Sequence, residues 1–301
     1  MQKISPFLWF DDNAEEAVNF YASVFKNFKP GKPVRYTEAG AAASGRPKDS
    51  VMTIPFALEG IEFTALNGGP IFKFTPAVSF FVNCEDKAEV EQLWSKLSPG
   101  GKSLMALDKY PFSEKYGWIE DKYGLSWQLF YSATPVDKKI VPSLLFVGDV
   151  AGRAEEAIDF YTSIFENSKR LGTFRYEANQ LPDKEGTIVY ADFLLQGQKF
   201  AAMDSAQTHN FSFNESISFV INCEDQKEID HFWNKLSEGA DERAQQCGWL
   251  KDKYGVSWQI VPTELGRLLS DKDPMRSQKV MQAVLGMKKL KIKDLQKAFN
   301  S

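Results

Sequence analysis

The strongest constraint on the fold of this 301-residue chain is that it contains the same sequence twice. The stretch GWIEDKYGLSWQLF at 117–130 returns as GWLKDKYGVSWQIV at 248–261. Three further motifs return in the same order: AEEAVNFYASVF at 14–25 as AEEAIDFYTSIF at 154–165, RY at 35–36 as RY at 175–176, and SFFVNCED at 79–86 as SFVINCED at 218–225. Such ordered self-similarity indicates a tandem duplication. We therefore predict domains at 1–133 and 134–263, followed by a helical tail at 264–301.

Within each repeat, the hydrophobic pattern predicts a strand, a helix and three strands, twice over. ISPFLWF at 4–10 is short, apolar and aromatic, which is typical of a strand. Apolar residues of 14–25 then fall at helical spacing, and AVSFFVN at 77–83 starts the second round. We interpret EAGAAASGRP at 38–47 as a flexible connector and KSLMALDKYPFSEKY at 102–116 as a long loop. Each repeat is thus a pair of βαβββ units, which predicts an α+β fold.

The composition of the chain restricts the kinds of partner and the cellular compartment that we expect. The net charge of −4 gives no general surface for nucleic acid. No run approaches 18 apolar residues, and the N-terminal apolar run is too short for a signal peptide, so no membrane partner is expected. Cys84, Cys223 and Cys247 lack CxxC spacing, which is typical of reduced thiols. We expect a cytoplasmic protein.

The βαβββ pairs, the FY that ends the first helix and the DxxG turn before the last strand together resemble the vicinal oxygen chelate (glyoxalase/bleomycin-resistance) superfamily. FLWFDDNAEEAVNFYASVF, LNGGPIFKF and GWLKDKYGVSWQIVP are most similar to its PhnB-like branch, often described as 3-demethylubiquinone-9 3-methyltransferase. The resemblance covers about 4–262. It implies two tandem glyoxalase-like domains, each with helices outside curled sheets that surround a cavity. It also implies a divalent metal held by His and Glu from strands.

The sequence departs from the superfamily at its metal ligands. The histidine positions fall near Pro6 and Pro142, and within 77–79 and 216–218, where no histidine occurs. The glutamate position holds Gln128 in the first repeat and Gln259 in the second, and an amide is a weaker ligand than a carboxylate. The two histidines, His209 and His231, are not at strand spacing. We expect no strand-borne metal and no cofactor.

Several residues are candidates for binding a ligand instead. Gln128 and Gln259 would hydrogen-bond a small molecule in the cavity, or else satisfy buried polar groups. Trp118 lines either the cavity or the core. Arg35 would bind a carboxylate or phosphate, or else pair with a surface acid.

The two repeats differ where the resemblance implies a cavity mouth. Asn67 lies there in NGGP, and its counterpart Asp204 lies in DSAQ. We predict one ligand per chain, with the first repeat as host and its long loop as a lid.

Three functions remain open from the sequence. The first is a protein, with or without catalysis, that holds a small organic molecule of unknown identity in a domain cavity without a metal. The second is a metal-dependent lyase or dioxygenase. The third is a methyltransferase, although no glycine-rich turn follows a strand as in common adenosylmethionine enzymes. Cys247 has no activating neighbour in the sequence. The duplication favours a monomer that contains an internal pseudo-dimer, and the basic, amphipathic tail is expected to dock its apolar side on the body.

Overall fold

The computed structural model describes residues 2–301. Its helices are α1 (Ala14–Val24), α2 (Glu38–Ser44), α3 (Lys87–Leu97), α4 (Ala154–Ile164), α5 (Gln226–Leu236), α6 (Leu265–Leu269), α7 (Pro274–Leu285) and α8 (Ile292–Asn300). The strands of the first repeat are β1 (Ile4–Phe10), β2 (Phe28–Pro30), β3 (Val34–Arg35), β4 (Val51–Leu58), β5 (Ile61–Asn67), β6 (Val78–Cys84), β7 (Lys102–Tyr110), β8 (Ser113–Glu120) and β9 (Ser126–Tyr131). Those of the second are β10 (Ile140–Phe146), β11 (Lys169–Arg175), β12 (Ile188–Leu195), β13 (Gln198–Asp204), β14 (Ile217–Cys223), β15 (Trp249–Lys251) and β16 (Ser257–Pro262).

Each of the two eight-stranded sheets takes one βαβββ unit from each repeat. The first sheet has the order β15-β16-β14-β1-β5-β4-β2, with β3 beside β4. The second has the order β11-β12-β13-β10-β6-β9-β8-β7. The two repeats meet where β1 runs antiparallel to β14 and where β10 runs antiparallel to β6. The α+β fold of paired βαβββ units is therefore confirmed, and the units that share a sheet come from different repeats.

The chain accordingly divides into two compact units that cross the repeat boundary. The first unit comprises the chain up to Ala22, Asn27–Lys73 and Asn214–Ser301. The second comprises Ser23–Lys26 and Phe74–Phe213. The predicted domains at 1–133 and 134–263 describe the repeat in the sequence, whereas each sheet contains strands from both sides of that boundary.

The doubled DKYG motif builds the same turn in both sheets. In the first repeat, Asp121 Oδ1 accepts hydrogen bonds from the amides of Tyr123 and Leu125, and Asp121 Oδ2 accepts one from Trp127 Nε1 at 2.9 Å. Gly124 has a backbone φ of +85°, a conformation that residues other than glycine rarely adopt. Asp252 and Trp258 repeat the arrangement at 2.8 Å. Both tryptophans are fully buried, as predicted for core residues.

Two segments that we predicted as loops are regular elements. The first, 38–47, contains α2, because its alanines favour helix, Thr37 caps the first turn and Gly45 ends it at φ +72°. The second, 102–116, is an antiparallel strand pair in which β7 runs alongside β8 from Lys102 to Tyr110. The prediction of a long loop in the first repeat was therefore wrong.

The tail docks on the first unit through its apolar side, as predicted. Its helices and the segment between α7 and α8 form a buried cluster of Leu268, Val280, Val284, Leu290 and Leu295. The amide of Cys247 donates to Met287 O, and the amide of Gly248 donates to Lys288 O, each at 2.7 Å. The tail thus hydrogen-bonds the chain just before β15, at the place where β7 pairs with β8 in the first repeat. None of the helices in the described part of the chain is long and apolar enough to cross a membrane.

Candidate functional site

Each sheet has one face covered by helices of the repeats and one opposite face, which we call the inner face. Directly paired residues lie on the same face of a sheet. In the first sheet, one row across the inner face runs from Ser5 to Val220, Gln259 and Trp249. The next row runs from Thr64 through Phe7, Ser218 and Ser257 to Lys251. These two rows form the candidate site.

Gln259 is the central polar group of this site. It is 6% exposed, and its Nε2 donates to Ser218 Oγ at 2.9 Å. Its Oε1 has no hydrogen-bond partner among residues 2–301. Ser5, 7% exposed, and the half-buried Thr64 add hydroxyl groups to the same face. The site therefore contains an accessible amide oxygen, on an otherwise buried side chain, that is free to accept a hydrogen bond.

Half-buried aromatic rings surround these polar groups. Trp249 makes edge-to-face contacts with Phe7 at 5.6 Å and with Trp9 at 6.1 Å between ring centroids. Trp9 makes a further such contact with Phe72 at 5.0 Å and donates from Nε1 to Gly69 O. A Cβ atom at Gly68 would lie 2.2 Å from the Trp9 ring, so only glycine fits there. The NGGP segment thus positions an aromatic wall.

The inner face of the second sheet is filled by the protein itself. Gln128 Nε2 donates to Ser79 Oγ at 2.8 Å, and Tyr116 Oη donates to Gln128 Oε1 at 2.6 Å. Burial raises the pKa of Tyr116, which keeps the phenol protonated. Apolar and aromatic side chains close the face: Phe81, Tyr116, Val141 and Ala201 are buried, with Met105, Tyr110, Trp118, Phe130, Tyr190 and Met203 packed against them.

One substitution between the repeats accounts for the free oxygen of Gln259. The counterpart of Tyr116 in the second repeat is Cys247, which has φ +56° and packs against the tail cluster. It offers no hydroxyl group to Gln259. Burial raises the pKa of the Cys247 thiol, so it is not an activated nucleophile.

Two of the predicted ligand residues, Asn67 and Asp204, lie on the helix side of their sheets. Asn67 Oδ1 accepts from the Ala14 amide at 2.9 Å, and its Nδ2 donates to Glu15 Oε2 and Val51 O. The side chain therefore anchors the first turn of α1. A role of Asn67 in ligand binding stays a prediction and would require these bonds to break.

Asp204 has the corresponding position beneath α4. Its Oδ1 accepts from the Ala154 amide and its Oδ2 from the Ile188 amide, both at 3.0 Å. Burial raises the pKa of this carboxyl group, and the amide hydrogen bonds oppose the shift. Asn67 and Asp204 thus anchor the first turn of their helices with different hydrogen bonds. The two residues belong to different compact units.

The remaining predicted residues lie apart from the first inner face. Arg35 is exposed and donates to Asp49 O. Its counterpart Arg175 pairs with Glu155, the surface alternative that we left open. Trp118 lies on the inner face of the second sheet, and its Nε1 donates to Ser126 Oγ at 2.7 Å.

Sequence reasoning found Gln259 but missed Ser5, Phe7, Trp9 and Thr64. The sequence shows that these residues alternate along β1 and β5. This alternation does not identify the site, because it does not reveal that β1 pairs with a strand of the other repeat.

The metal that the superfamily implies does not fit these residues. The strand positions around Gln259 carry neutral hydroxyl and amide groups, which are weak ligands for a divalent cation. No group of three or more His, Cys, Asp or Glu that could hold a metal occurs within 2–301. His209 Nε2 lies 2.9 Å from Ser205 Oγ, and His231 stacks edge-to-face on Phe232.

A surface pocket of about 910 Å³ lies elsewhere, in the second unit. Its lining residues are Lys109, Tyr110, Pro111, Phe112, Ser113, Glu114, Phe130, Tyr131, Ser132, Ala133 and Thr134. The two charged groups pair with each other, since Lys109 Nζ lies 2.7 Å from Glu114 Oε1. None of the predicted ligand residues lines this pocket, and we prefer the first inner face because its central glutamine has a free acceptor.

Comparison with solved structures supports the fold. Glyoxalase I from Zea mays shares 12% identity, covers 86% of this chain and 93% of its own, and superposes with a TM-score of 0.51. A Bacillus subtilis protein described as a dioxygenase shares 14% identity over 85% of this chain and 83% of its own, with a TM-score of 0.50. The PhnB protein from Bacillus cereus shares 42% identity over 44% of this chain and 100% of its own, with a TM-score of 0.40.

Comparison with curated proteins gave no match. The family model described as 3-demethylubiquinone-9 3-methyltransferase matches twice, at residues 2–130 and 138–261. These two matches cover both repeats and leave the tail outside. The chain therefore belongs to the 3-demethylubiquinone-9 3-methyltransferase family, as a tandem duplicate with a glyoxalase-like (vicinal oxygen chelate) fold.

Proposed function

We propose that the inner face of the first sheet binds a small organic molecule without a metal held by strand residues. The observation that carries the proposal is Gln259 Oε1, an acceptor on a nearly buried side chain that has no partner among the described residues. A bound molecule that donates to this oxygen would gain about 0.5–1.5 kcal/mol without breaking a hydrogen bond inside the protein. Small-molecule sites commonly combine apolar walls with a few such convergent polar groups.

The second sheet supports this choice by contrast. Gln128 occupies the same position, but Tyr116 and Ser79 satisfy both ends of its amide group. Aromatic side chains also fill the space in front of it. We therefore propose one binding site per chain, built by strands of both repeats rather than by the first repeat alone.

A ligand screen that compares two glutamine variants would test the proposal. Thermal unfolding of the chain would be followed with small organic molecules, with divalent metals and with S-adenosylmethionine, because a bound ligand raises the unfolding temperature. We expect an organic ligand to stabilise the protein. Gln259→Leu should abolish that stabilisation, and the matched variant Gln128→Leu should retain it.

The other arms test the alternative functions. Stabilisation by a divalent metal alone would favour a metal-dependent lyase or dioxygenase. Stabilisation by S-adenosylmethionine alone would favour a methyltransferase. Loss of organic-ligand binding in Gln128→Leu but not in Gln259→Leu would contradict the proposed site.

A further inference from the structure

The two central rows of the candidate site contain one charged residue, and its charge is already paired. The first row consists of Ser5, Val220, Gln259 and Trp249, and the second runs from Thr64 through Phe7, Ser218 and Ser257 to Lys251. Lys251 Nζ lies 2.6 Å from Glu215 Oε1. A charged ligand would lose its hydration here without gaining a counter-ion, which is costly.

Arg46, which lies near the aromatic wall, is also occupied. It approaches Gly69 and forms an ion pair with the Asp11 carboxylate, and its Nη2 also donates to the main-chain oxygen of Asp11. It is therefore not available as a bidentate partner for a carboxylate or phosphate. The electrostatics of this face favour an uncharged ligand.

The hydrogen-bonding polarity of the site is set by Gln259. Its Nε2 is used by Ser218, and the free atom is the acceptor Oε1. A complementary molecule must therefore donate a hydrogen bond from a hydroxyl or N–H group. Tyr116 shows this geometry within the second sheet, where a phenol hydroxyl donates to Gln128 Oε1 at 2.6 Å.

The surrounding rings define the remaining part of the ligand. Trp249 contacts both Phe7 and Trp9 edge-to-face, and each of the three rings is only half-buried. Aromatic rings favour further offset or edge-to-face neighbours over aliphatic ones of equal area. A second ring is therefore the group that best covers their open surface.

We propose that the first inner face selects an uncharged aromatic molecule with a hydroxyl or N–H group that donates to Gln259 Oε1. The proposal rests on the function proposed above and names the class of its ligand. The Tyr116 side chain in the second sheet is the internal equivalent of such a molecule, and Cys247 at the same position of the second repeat supplies no hydroxyl group to Gln259.

Three small probes of matched shape test the class: 4-methylphenol, 4-methylanisole and 4-methylbenzoate. Each would be titrated at neutral pH into the isotope-labelled full chain, with binding read from the indole N–H signals of Trp9 and Trp249. We expect 4-methylphenol to shift these signals. Loss of the donor in 4-methylanisole, or addition of charge in 4-methylbenzoate, should weaken binding by about fivefold or more. In Gln259→Leu, the phenol and the anisole should bind equally.

The outcomes separate this inference from the proposed function. Equal or tighter binding of 4-methylbenzoate or 4-methylanisole in the unaltered chain would overturn the ligand class. If that binding still shifted Trp249 and depended on Gln259, the binding site itself would stand. If no probe and no molecule of the thermal screen shifted the Trp249 signal, both would fail. Should Gln259→Leu not fold, Thr64→Val and Ser5→Ala provide milder changes on the same face, and Gln128→Leu is the matched control.

Discussion

At the residue scale, the two inner faces differ by an exchange of large and small side chains. Phe7 of the first sheet corresponds to Ser143 of the second, and Val220 of the first corresponds to Phe81 of the second. Phe81 fills the second face, packs on Tyr190 at 5.7 Å and leaves Ser143 Oγ buried without a partner in the described chain. Phe81 thus fills the second face, whereas the smaller Val220 has that position beside Gln259 in the first.

The two glutamines should therefore differ in their contribution to stability. Gln128→Leu leaves the buried Tyr116 hydroxyl and the buried Ser79 without their partner, so we expect a loss of about 1–3 kcal/mol in the free energy of unfolding. Gln259→Leu removes only the bond to Ser218 and should cost less. Urea denaturation of both variants measures the difference, and a larger loss for Gln259→Leu would contradict the assignment.

The helix anchors Asn67 and Asp204 should not be interchangeable. An Asp at 67 would face the Glu15 carboxylate and the Val51 carbonyl, both of which now accept from the amide group of Asn67. An Asn at 204 would lose an acceptor for either the Ile188 or the Ala154 amide. We expect each exchange, Asn67→Asp and Asp204→Asn, to destabilise the fold by about 1–3 kcal/mol, measured by thermal unfolding. A neutral result for both would contradict the anchoring role.

At the scale of elements, the first turn of α4 is tied to β11 by charge. Arg175 and Arg170 hydrogen-bond Glu155 and lower the pKa of its carboxyl group to about 2. A lowered folded-state pKa means that folding favours the deprotonated form. The stabilisation is thus fully present above the ordinary carboxyl pKa of 4.5 and is lost as pH falls towards 2.

We therefore expect Glu155→Gln to reduce stability at neutral pH and to flatten the loss of stability between about pH 4.5 and 2. The groups are largely exposed, so the effect should be about 1 kcal/mol or less. Denaturation curves at several pH values for the variant and the unaltered chain measure it. An unchanged pH slope would contradict the coupling, and Glu156→Gln on the same turn is the control.

The tail replaces a missing strand. Where β7 pairs with β8 in the second sheet, Met287 O and Lys288 O accept hydrogen bonds from the chain before β15 in the first. Leu290 is fully buried and lies within 3.2 Å of a Cβ built on Gly248. The tail is therefore an integral part of the first unit rather than an appendage.

Leu290→Ala should consequently cost about 2–5 kcal/mol in the free energy of unfolding, as for other large-to-small changes in a core. The neighbouring Lys289→Ala removes only a solvent-accessible pair with Asp230 and should cost less than about 1 kcal/mol. Chemical denaturation of both variants gives the comparison. Equal, small losses would mean that the tail docks without supporting the sheet.

The sequence predicts most elements of this fold because each carries a local signal. Examples are the helical spacing from Ala14 to Phe25 and the buried Trp127 and Trp258 of the closing strands. It does not predict which units share a sheet, because β6 and β14 have nearly the same residues and β1 would match either. The candidate site cannot be predicted for the same reason. Ser5 and Thr64 are recognised as part of it only when β1 is known to pair with β14.

At the scale of the whole molecule, the duplication provides a partner strand from the other repeat for strands that would otherwise lie at a sheet edge. Each of β1, β6, β10 and β14 is a central strand whose antiparallel partner belongs to the other repeat. A single repeat would leave two such strands without that partner, and unpaired strand edges associate with other chains. Covalent linkage of two repeats supplies both partners within one chain.

A fragment of residues 1–133 should therefore form a dimer in which β1 of one copy pairs with β6 of the other. In the full chain β1 could pair with β6 or with β14, and it pairs with β14. We infer that the segment connecting β1 to β6 within one repeat disfavours their pairing. Light scattering should give the mass of two fragments, and addition of the fragment 134–301 should convert the dimer to a one-to-one complex. A folded monomer of 1–133, with β1 and β6 amides protected from exchange, would show instead that one repeat closes on itself.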